Sequence, residues 1–200
     1  MEINACLDTI LAGNAADDWY AKEEDNMIQT CLDQAPDGLV MEFGVAAGDS
    51  FRRIIQRTDK QCYGFDSFEG LPEDAEGWTK GMFACDAPVF SEENAHIVAG
   101  LIQDTLPDFL AENDGRAAFV HIDTDIYSSA KYILDTLYDA GRIVSGTVIL
   151  FDELFSCEGG SYPAWPHHEY KAFVEFGKRT GLQINLIGRR SANSYAFKIL

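Results

Sequence analysis

The fold of this chain is limited first by short apolar runs that recur from residue 39 onward, separated by longer amphipathic or polar stretches. We predict strands at 39–45, 61–66, 96–99, 117–123 and 146–151. Such alternation is typical of strand–helix units that build a parallel sheet. Near the end, residues 169–178 are amphipathic, and two strand-like segments, 182–187 and 194–199, flank a polar turn. A hairpin is antiparallel, so the last strand should run against an otherwise parallel sheet.

The length of the chain predicts one domain. Its 200 residues, 46% of them hydrophobic, can bury one sizeable core. Residues 1–36 contain Trp19-Tyr20 and a periodic apolar pattern around Met27 and Ile28, which predicts helices, and Pro36-Asp37-Gly38 ends them. We therefore expect a helical lead-in at 1–36 and the main fold at 37–200, joined in one domain.

Charge and cysteine content exclude several classes of function. The 15 Lys and Arg against 33 Asp and Glu give a net charge of -18, which repels nucleic acid and anionic lipid surfaces. Five cysteines without any C-x-x-C spacing argue against a disulfide framework and a zinc site. The chain has no apolar run long enough to cross a bilayer and no basic region followed by an apolar one at its start, so we expect a cytoplasmic protein.

A glycine-containing loop follows the first predicted strand. Glu42, Gly44, Gly48 and Ser50 form the pattern E-x-G-x-x-x-G-x-S where the strand should turn into a helix. Glycines let the backbone turn tightly and approach a ligand. The pattern is neither the dinucleotide fingerprint nor the phosphate loop of nucleotide triphosphatases. Glycines after a strand also occur for turn reasons alone, so the loop by itself leaves both interpretations open.

The second strand ends in Asp66, which lies 22 positions after Gly44. An acid at this distance is placed to accept hydrogen bonds from the hydroxyls of a ribose, and together the two features predict a nucleoside-containing cofactor. The alternative for Asp66 is an ordinary strand-end residue that caps a turn. After the third strand, Asp104 is a candidate for the amine of an adenine, although Asp104-Thr105 could equally cap the next helix.

Acidic pairs end the fourth and fifth strands. Asp123 and Asp125 follow one strand, and Asp152 and Glu153 follow the other. Four carboxylates at one edge repel one another unless a cation lies between them, and Mg²⁺ prefers such ligands. The alternative is that two strand ends merely carry capping acids. In the transfer of an alkyl group to oxygen, a metal would orient the hydroxyl that receives the group and lower its pKa. Asp125 is our candidate for the base that takes the proton of this hydroxyl.

The aromatic stretch around Trp165 offers a rival to Asp125 as the base. His167 and His168 follow Trp165 and could fold over a substrate, although adjacent histidines near a helix start are more often surface residues.

Several strings in the right order resemble the macrocin O-methyltransferase family of class I S-adenosylmethionine-dependent enzymes, which methylate sugar hydroxyls. The match covers residues 39–171. Its most particular string is Phe65-Asp66-Ser67-Phe68-Glu69-Gly70-Leu71-Pro72, and the others are the glycine loop, Asp104-Thr105-Leu106-Pro107, the segment 121–129 and the segment 146–153.

This resemblance implies a Rossmann-like α/β fold: a seven-stranded, mostly parallel sheet between helices, with an antiparallel last strand. It also implies that S-adenosylmethionine lies across the carboxyl edge, bound by Glu42, Gly44, Val45, Gly48, Ser50, Asp66, Ser67, Asp104, Thr105 and Asp123. Asp123, Asp152 and Glu153 would hold Mg²⁺, Asp123 and Asp125 would be catalytic, and Tyr127, Trp165, His167 and His168 are candidate substrate contacts. The implied partner is a small hydroxylated acceptor, and a homodimer is an expected assembly.

Two departures from the family pattern concern the metal and the acceptor. The chain has Asp152-Glu153-Leu154 where the family usually has Asp-Asp-Tyr, and it is shorter at its N-terminus, a region that often helps form the acceptor site.

From the resemblance as a whole we expect a Mg-assisted O-methyltransferase for a sugar or glycosylated metabolite. The alternatives are a non-catalytic module that binds S-adenosylmethionine and a metal-independent enzyme that methylates nitrogen or carbon.

Overall fold

The computed structural model describes residues 1–12, 24–155, 164–190 and 193–200. Trp19, Tyr20 and Cys157 lie outside the described residues. The helices are α1 (Ile3–Leu11), α2 (Glu24–Gln34), α3 (Asp49–Ile55), α4 (Ile102–Glu112), α5 (Tyr127–Asp139) and α6 (Glu169–Thr180), with a 3₁₀ turn at Trp165–His167. The strands are β1 (Leu39–Phe43), β2 (Cys62–Asp66), β3 (Ala95–Ala99), β4 (Ala117–Ile122), β5 (Val148–Phe151), β6 (Ile184–Arg190) and β7 (Ser194–Ile199). None of the described helices is both long and apolar enough to span a membrane.

All seven strands form one sheet in the order β3-β2-β1-β4-β5-β7-β6. Strands β1 to β5 pair in parallel, and β7 is antiparallel to both β5 and β6. This confirms the predicted seven-stranded, mostly parallel sheet with an antiparallel last strand. In register, Phe43 lies opposite both Phe65 and Ile122, and Ile122 lies opposite Phe151. The residues that follow these four positions therefore meet at one edge of the sheet.

Helices cover both faces of the sheet because successive strand side chains point to opposite sides. Met41 and Phe43 of β1 belong to a core formed with helices α1, α4, α5 and α6, whereas Val40 packs with α2 and α3. All six residues of β4 are buried, as expected for a central strand covered on both faces.

Helix α1 belongs to the same core, although it lies in the predicted lead-in. Ile3 is 1% exposed and its N–H donates to the Leu182 carbonyl oxygen at 3.3 Å, while Glu2 pairs with Gln183 in an isolated bridge. The first residues thus pack beside β6 and α6.

Strand β6 differs from its predicted extent. It runs to Arg190, beyond the predicted end at residue 187, and its pairing with β7 shifts between Leu186 and Gly188. Because of this irregularity, Arg190 lies opposite Ser194 at the edge of the sheet where β5 ends. The strand predicted at 194–199 is observed with the same bounds, and the remaining predicted strands differ from the observed ones by one or two residues at their ends, where local pattern is least informative.

Candidate active site

A cavity of about 470 Å³ opens at the carboxyl edge of the sheet. The chain passes from β1 to β2 and β3 on one side and reaches β4 on the other, and ligands of open α/β sheets bind where the order reverses. Residues after all five parallel strands and part of the β2–β3 connection line it: Gly44, Ala46, Phe65, Asp66, Ser67, Gly70, Leu71, Pro72, Trp78, Met82, Phe83, Leu101, Ile102, Gln103, Asp123, Thr124, Asp125, Ser129 and Glu153.

The loop after β1 is held in a conformation that only glycine adopts freely at its first position. Gly44 has φ +92°, and a Cβ placed there would lie 1.7 Å from the Asp123 carbonyl oxygen. The two loops also exchange a hydrogen bond, because the Asp123 N–H donates to the Phe43 carbonyl oxygen at 2.9 Å. The backbones after β1 and β4 are therefore packed directly together, and together they form the floor of the cavity.

Asp66 joins the floor to the neighbouring strand. Its Oδ2 accepts a hydrogen bond from the Ala46 N–H and its Oδ1 accepts one from the Phe68 N–H, both at 2.8 Å. These two bonds fix the carboxylate in the wall of the cavity, which Ser67 also lines. Each oxygen has further lone pairs, so the carboxylate can also accept hydrogen bonds from two neighbouring hydroxyls of a ligand.

We expect Asp66→Ala to weaken the binding of S-adenosylmethionine by about 10- to 100-fold. Hydrogen bonds to a charged acceptor contribute about 1.5–3 kcal/mol each, and 1.4 kcal/mol corresponds to a factor of ten. Isothermal titration calorimetry of the wild type and the variant measures the change. Asp59→Ala, at an exposed position, is the control. Equal affinities for Asp66→Ala and the wild type would show that Asp66 does not contact the ligand.

Helix α4 places Gln103, and not Asp104, against the cavity. Asp104 is exposed, and the Thr105 hydroxyl donates to the Leu101 carbonyl oxygen at 3.1 Å. Neither Asp104 nor Thr105 lines the cavity, whereas Leu101, Ile102 and Gln103 do. The structure does not bring the two predicted residues to the site, because the helix begins at residue 102 and turns their side chains away.

Residues 70–84, which we call the roof segment, cover one side of the cavity. Its ends are held by two hydrogen bonds at 2.9 Å, from the Leu71 N–H to the Met82 carbonyl oxygen and from the Gly81 N–H to the Leu71 carbonyl oxygen. Trp78 and Phe83 meet edge to face with ring centroids 5.3 Å apart. The predicted long connection between β2 and β3 therefore supplies an aromatic wall, which the sequence interpretation did not assign to any residue.

The two histidines hold the roof segment and do not line the cavity. His168 Nε2 donates to the Glu76 carbonyl oxygen at 2.8 Å, and His167 Nδ1 contacts the Glu76 carboxylate. At a second point, the Ser128 hydroxyl donates to a carboxylate oxygen of Glu73. The roof segment is thereby attached to the start of α6 and to α5.

The two predicted aromatic substrate contacts are engaged elsewhere. The Tyr127 hydroxyl donates to Glu175 Oε2 at 2.6 Å, and Trp165 packs on Phe155 and Tyr170 with ring centroids 5.3 and 5.0 Å away. Like the histidines, neither lines the cavity.

A buried polar group lies behind the glycine loop. Glu42 is 0% exposed, accepts a hydrogen bond from the Ser50 hydroxyl at 2.6 Å and lies 3.6 Å from His121 Nδ1. Glu42, Val45, Gly48 and Ser50 are not part of the cavity wall. Glu42 and Ser50 form a hydrogen bond across the loop and so stabilise it from behind. His121 lies in the middle of a predicted strand, and the sequence did not indicate that it is the neighbour of Glu42.

Carboxylates dominate the end of the cavity beside β4 and β5. Burial and the charge of Asp152 raise the pKa of Asp123 well above its usual value. Burial, together with Glu153 and Asp152, raises the pKa of Asp125 to about 7. Asp125 also has φ +62°, a left-handed conformation that is uncommon for a residue with a side chain. A carboxylate with such a pKa can take up a proton near neutral pH.

The predicted Mg²⁺ site does not fit the observed arrangement. Asp152 Oδ1 lies 2.7 Å from Arg190 Nη2 and accepts a hydrogen bond from the Ser194 hydroxyl at 3.1 Å, so a side-chain cation already pairs with this carboxylate. Within residues 1–12, 24–155, 164–190 and 193–200, no three His, Cys, Asp or Glu side chains are grouped as a metal site. The acidic residues at the strand ends gave no indication of the Arg190 guanidinium, because Arg190 lies on β6.

Glu169 is a further acid at the site that sequence reasoning placed only on an amphipathic helix. It is 0% exposed and its Oε1 accepts a hydrogen bond from the Thr124 N–H at 3.0 Å. Burial raises its pKa well above the usual value, and the charges of Asp125, Asp152 and Glu153 add to this. An acidic residue at the first position of a helix is common, so its burial could not be read from the pattern.

These shifts predict that the apo protein is more stable at about pH 6 than at about pH 9. Folded Asp125 and Glu169 bind protons at pH values where the unfolded chain has lost them, so their contribution falls as the pH rises from about 4 through the raised pKa values. Burial by itself lowers the pKa of His121. The hydrogen bond and charge of Glu42 and the charges of Asp123 and Asp152 outweigh the effect of burial and raise this pKa to about 9. Its contribution is complete below about 6.5 and is lost as the pH rises through 9.

Differential scanning calorimetry across this pH range measures the effect. The expected result is a Tm that falls as the pH rises, with a smaller fall in Asp125→Asn. A Tm that is constant or rises toward pH 9 would contradict the proposed protonation of Asp125, Glu169 and His121 in the folded protein.

The chain matches a known protein family. A family model described as a methyltransferase domain matches residues 41–154, which is more than half of the chain. The matched segment runs from β1 to the acids that follow β5 and thus contains the floor of the cavity. Among curated protein sequences, none matches the chain at a significant level.

Solved structures share the fold at low sequence identity. CalS11, a calicheamicin methyltransferase, has a TM-score of 0.68 at 23% identity, covering 88% of this chain and 76% of that one. The O-methyltransferase NovP has a TM-score of 0.64 at 21% identity, covering 87% and 78%. An O-methyltransferase from Bacillus cereus in complex with SAH has a TM-score of 0.56 at 11% identity, covering 99% and 90%. At these identities the likeness establishes a common fold.

Proposed function

The chain belongs to the methyltransferase domain family, and on that premise we propose that it moves the methyl group of S-adenosylmethionine to a hydroxyl oxygen of a small molecule, a sugar or a glycosylated metabolite. The observation that carries this proposal is the cavity itself, in which Gly44, Asp66 and Asp125 face one space at the carboxyl edge of the sheet. The first two suit a nucleoside, and the third suits an acceptor that must lose a proton.

The described residues fit the donor. A close backbone approach is possible over Gly44, where a Cβ would meet the next loop, and the two tethered oxygens of Asp66 are placed to accept hydrogen bonds from ribose hydroxyls. Leu101 and Ile102 offer an apolar wall beside Gln103 for a base. When bound, S-adenosylmethionine supplies a methyl group activated by its sulfonium. The role of Glu42 and Ser50 in this proposal is to hold the loop from behind.

The protein then has two tasks in the transfer. Asp125 accepts the proton of the acceptor hydroxyl, as the new oxygen–carbon bond forms and the electron pair of the breaking sulfur–carbon bond goes to the sulfur. Its pKa of about 7 lets it exist as the carboxylate at neutral pH and still bind the proton. Positioning of donor and acceptor in one cavity supplies much of the rate.

A sugar acceptor is supported by the proteins that share the fold. CalS11 is described as a TDP-rhamnose 3'-O-methyltransferase in calicheamicin biosynthesis, and NovP as an O-methyltransferase. We extend the class of acceptor, and not the individual compound, to this chain. The more specific resemblance to the macrocin O-methyltransferases belongs to the same proposal.

Magnesium has no step in the proposed reaction. Asp152 is paired with Arg190, which leaves only Asp123 and Glu153 of the three predicted metal ligands. The proposed general base works without a metal because burial already raises its pKa into the range of the reaction.

The proposal is tested by incubating the purified protein with methyl-labelled S-adenosylmethionine and a panel of hydroxylated acceptors that includes nucleotide sugars and glycosides. Transfer of label to a methyl ether, identified by mass spectrometry, is the expected result. Parallel reactions with EDTA and with added Mg²⁺ separate metal-independent from metal-assisted transfer.

Two outcomes would favour the alternatives. Donor binding by calorimetry without transfer to any acceptor would indicate a non-catalytic module, and label on nitrogen or carbon would indicate a different class of acceptor.

The homodimer, the cytoplasmic location and the division at residue 36 stay predictions from the sequence.

A further inference from the structure

We propose that Glu169 is a positioning residue that holds residues 123–126, the β4 loop, in the shape that places Asp125 in the cavity. The inference rests on the proposed function for the role of Asp125, but the contact on which it depends does not. Glu169 lies 44 positions after Asp125 along the chain, outside the segment matched by the family model.

The burial of Glu169 is the first observation. Acidic side chains are almost never fully buried unless they have a partner, yet Glu169 is 0% exposed at the first position of α6. Within the described part of the chain, its Oε2 has no hydrogen-bond partner, and its Oε1 accepts the bond from the Thr124 N–H at 3.0 Å. A fully buried carboxyl group is thus directed at one backbone amide.

That amide lies at the centre of the β4 loop. Thr124 is flanked by Asp123 and Asp125, both of which line the cavity. The loop is fixed on one side by the bond from the Asp123 N–H to Phe43, and the Ile126 N–H donates back to the Thr124 carbonyl oxygen at 2.6 Å. Glu169 supplies a further contact to the loop, from helix α6.

The conformation of Asp125 explains why such a contact is needed. Its φ of +62° is disfavoured for a residue with a Cβ, and such conformations persist only where the surrounding structure fixes them. Thr124, the residue before it, is itself buried, so its N–H loses its hydrogen-bond acceptor if the carboxyl is removed. We therefore expect the loop to relax when Glu169 cannot accept this bond.

The neighbouring residue links the same helix end to the roof. His168, directly before Glu169, donates to Glu76 of the roof segment. The start of α6 therefore contacts both the floor and the roof of the cavity.

The test compares Glu169→Gln, which keeps an oxygen acceptor of the same length, with Glu169→Met, which keeps the length and removes the acceptor. Hydrogen exchange of the Thr124 amide is measured by NMR in the ¹⁵N-labelled full chain, together with the affinity for SAH by calorimetry. In Glu169→Met we expect exchange of this amide to be at least about 10-fold faster and the Thr124 and Asp125 signals to shift. Glu169→Gln should restore both toward the wild type.

Thr147→Val is the matched control for a lost buried hydrogen bond. Thr147 is 0% exposed and its hydroxyl donates to the Ala117 carbonyl oxygen at 2.7 Å, away from the cavity. It should lower the Tm without a selective change at Thr124. Unchanged Thr124 protection in Glu169→Met, equal effects of Glu169→Met and Thr147→Val, or no rescue by Gln would each overturn the proposal.

Turnover provides a second readout once an acceptor is known. At saturating donor, kcat of Glu169→Met should fall by about 10-fold or more, whereas Glu169→Gln should stay within about 3-fold of the wild type. If the wild type transfers no methyl group at all, the proposed function fails, and the amide exchange still decides whether Glu169 positions the loop.

Discussion

Gly44→Ala is expected to abolish measurable binding of S-adenosylmethionine and SAH. The added Cβ would lie 1.7 Å from the Asp123 carbonyl oxygen and 2.7 Å from its carbonyl carbon, and both are backbone atoms. The β4 backbone would have to retreat by more than an ångström, although the Phe43–Asp123 hydrogen bond holds it in place. The loop after β1 would move instead, and with it Ala46 and the carboxylate of Asp66.

The matched control for Gly44→Ala is Gly141→Ala. Gly141 has φ +69°, also left-handed, but no atom lies within 4 Å of a Cβ placed there. This variant isolates the conformational cost of a side chain at positive φ, about 1–2 kcal/mol, from the steric clash. Calorimetric titration with SAH and a thermal melt of each variant give the measurement. Wild-type affinity in a folded Gly44→Ala protein would show that the loop does not contact the cofactor.

Asp125→Asn is expected to lower the rate of methyl transfer by about 10²- to 10⁴-fold and to leave donor affinity within a few-fold of the wild type. The amide has the same shape but cannot take the acceptor proton. Calorimetry and a single-turnover assay on the same preparation separate binding from transfer. Asp59→Asn, on the surface, is the control for the loss of one charge.

The pH profile makes the same prediction sharper. Burial and the charges of Glu153 and Asp152 raise the pKa of Asp125 to about 7, and only the ionised form acts as a base. The wild-type rate should therefore rise with pH through about 7 and be lost as the pH falls below it, while the residual rate of Asp125→Asn should not show this step. Full activity of Asp125→Asn, or an unchanged profile, would make the assignment of the base wrong.

Local pattern determined the elements that depend on neighbouring residues. Buried strands are apolar over their whole length, and the carboxyl ends of parallel strands meet at one edge, so the sequence alone places Gly44, Asp66, Asp123 and Asp125 at one site. All four line the cavity. The antiparallel hairpin also followed from chain order, because two short strands joined by a short turn have no other way to pair.

Local pattern gave poorer results for side chains whose partners are distant. His167 and His168 were candidates for the substrate, but they hold Glu76 on the roof segment, 92 residues from His168. Asp104 was a candidate for the adenine, but the observed start of α4 turns it outward and places Gln103 at the wall. In both cases the direction of the side chain depends on the packing of the helix that carries it, which local pattern does not give.

The sequence by itself therefore determined the sheet, the edge of the sheet at which the cavity lies and the acids that meet there. The tertiary structure alone decided how those acids are neutralised and held: Arg190 of β6 pairs with Asp152, 38 residues away, and Glu169 of α6 bonds the amide of Thr124, 45 residues away. The physical reason is that strand and loop positions follow from periodicity and backbone geometry, which are local. The charge and hydrogen-bond partners of a buried carboxylate come from segments that only the packed fold brings together.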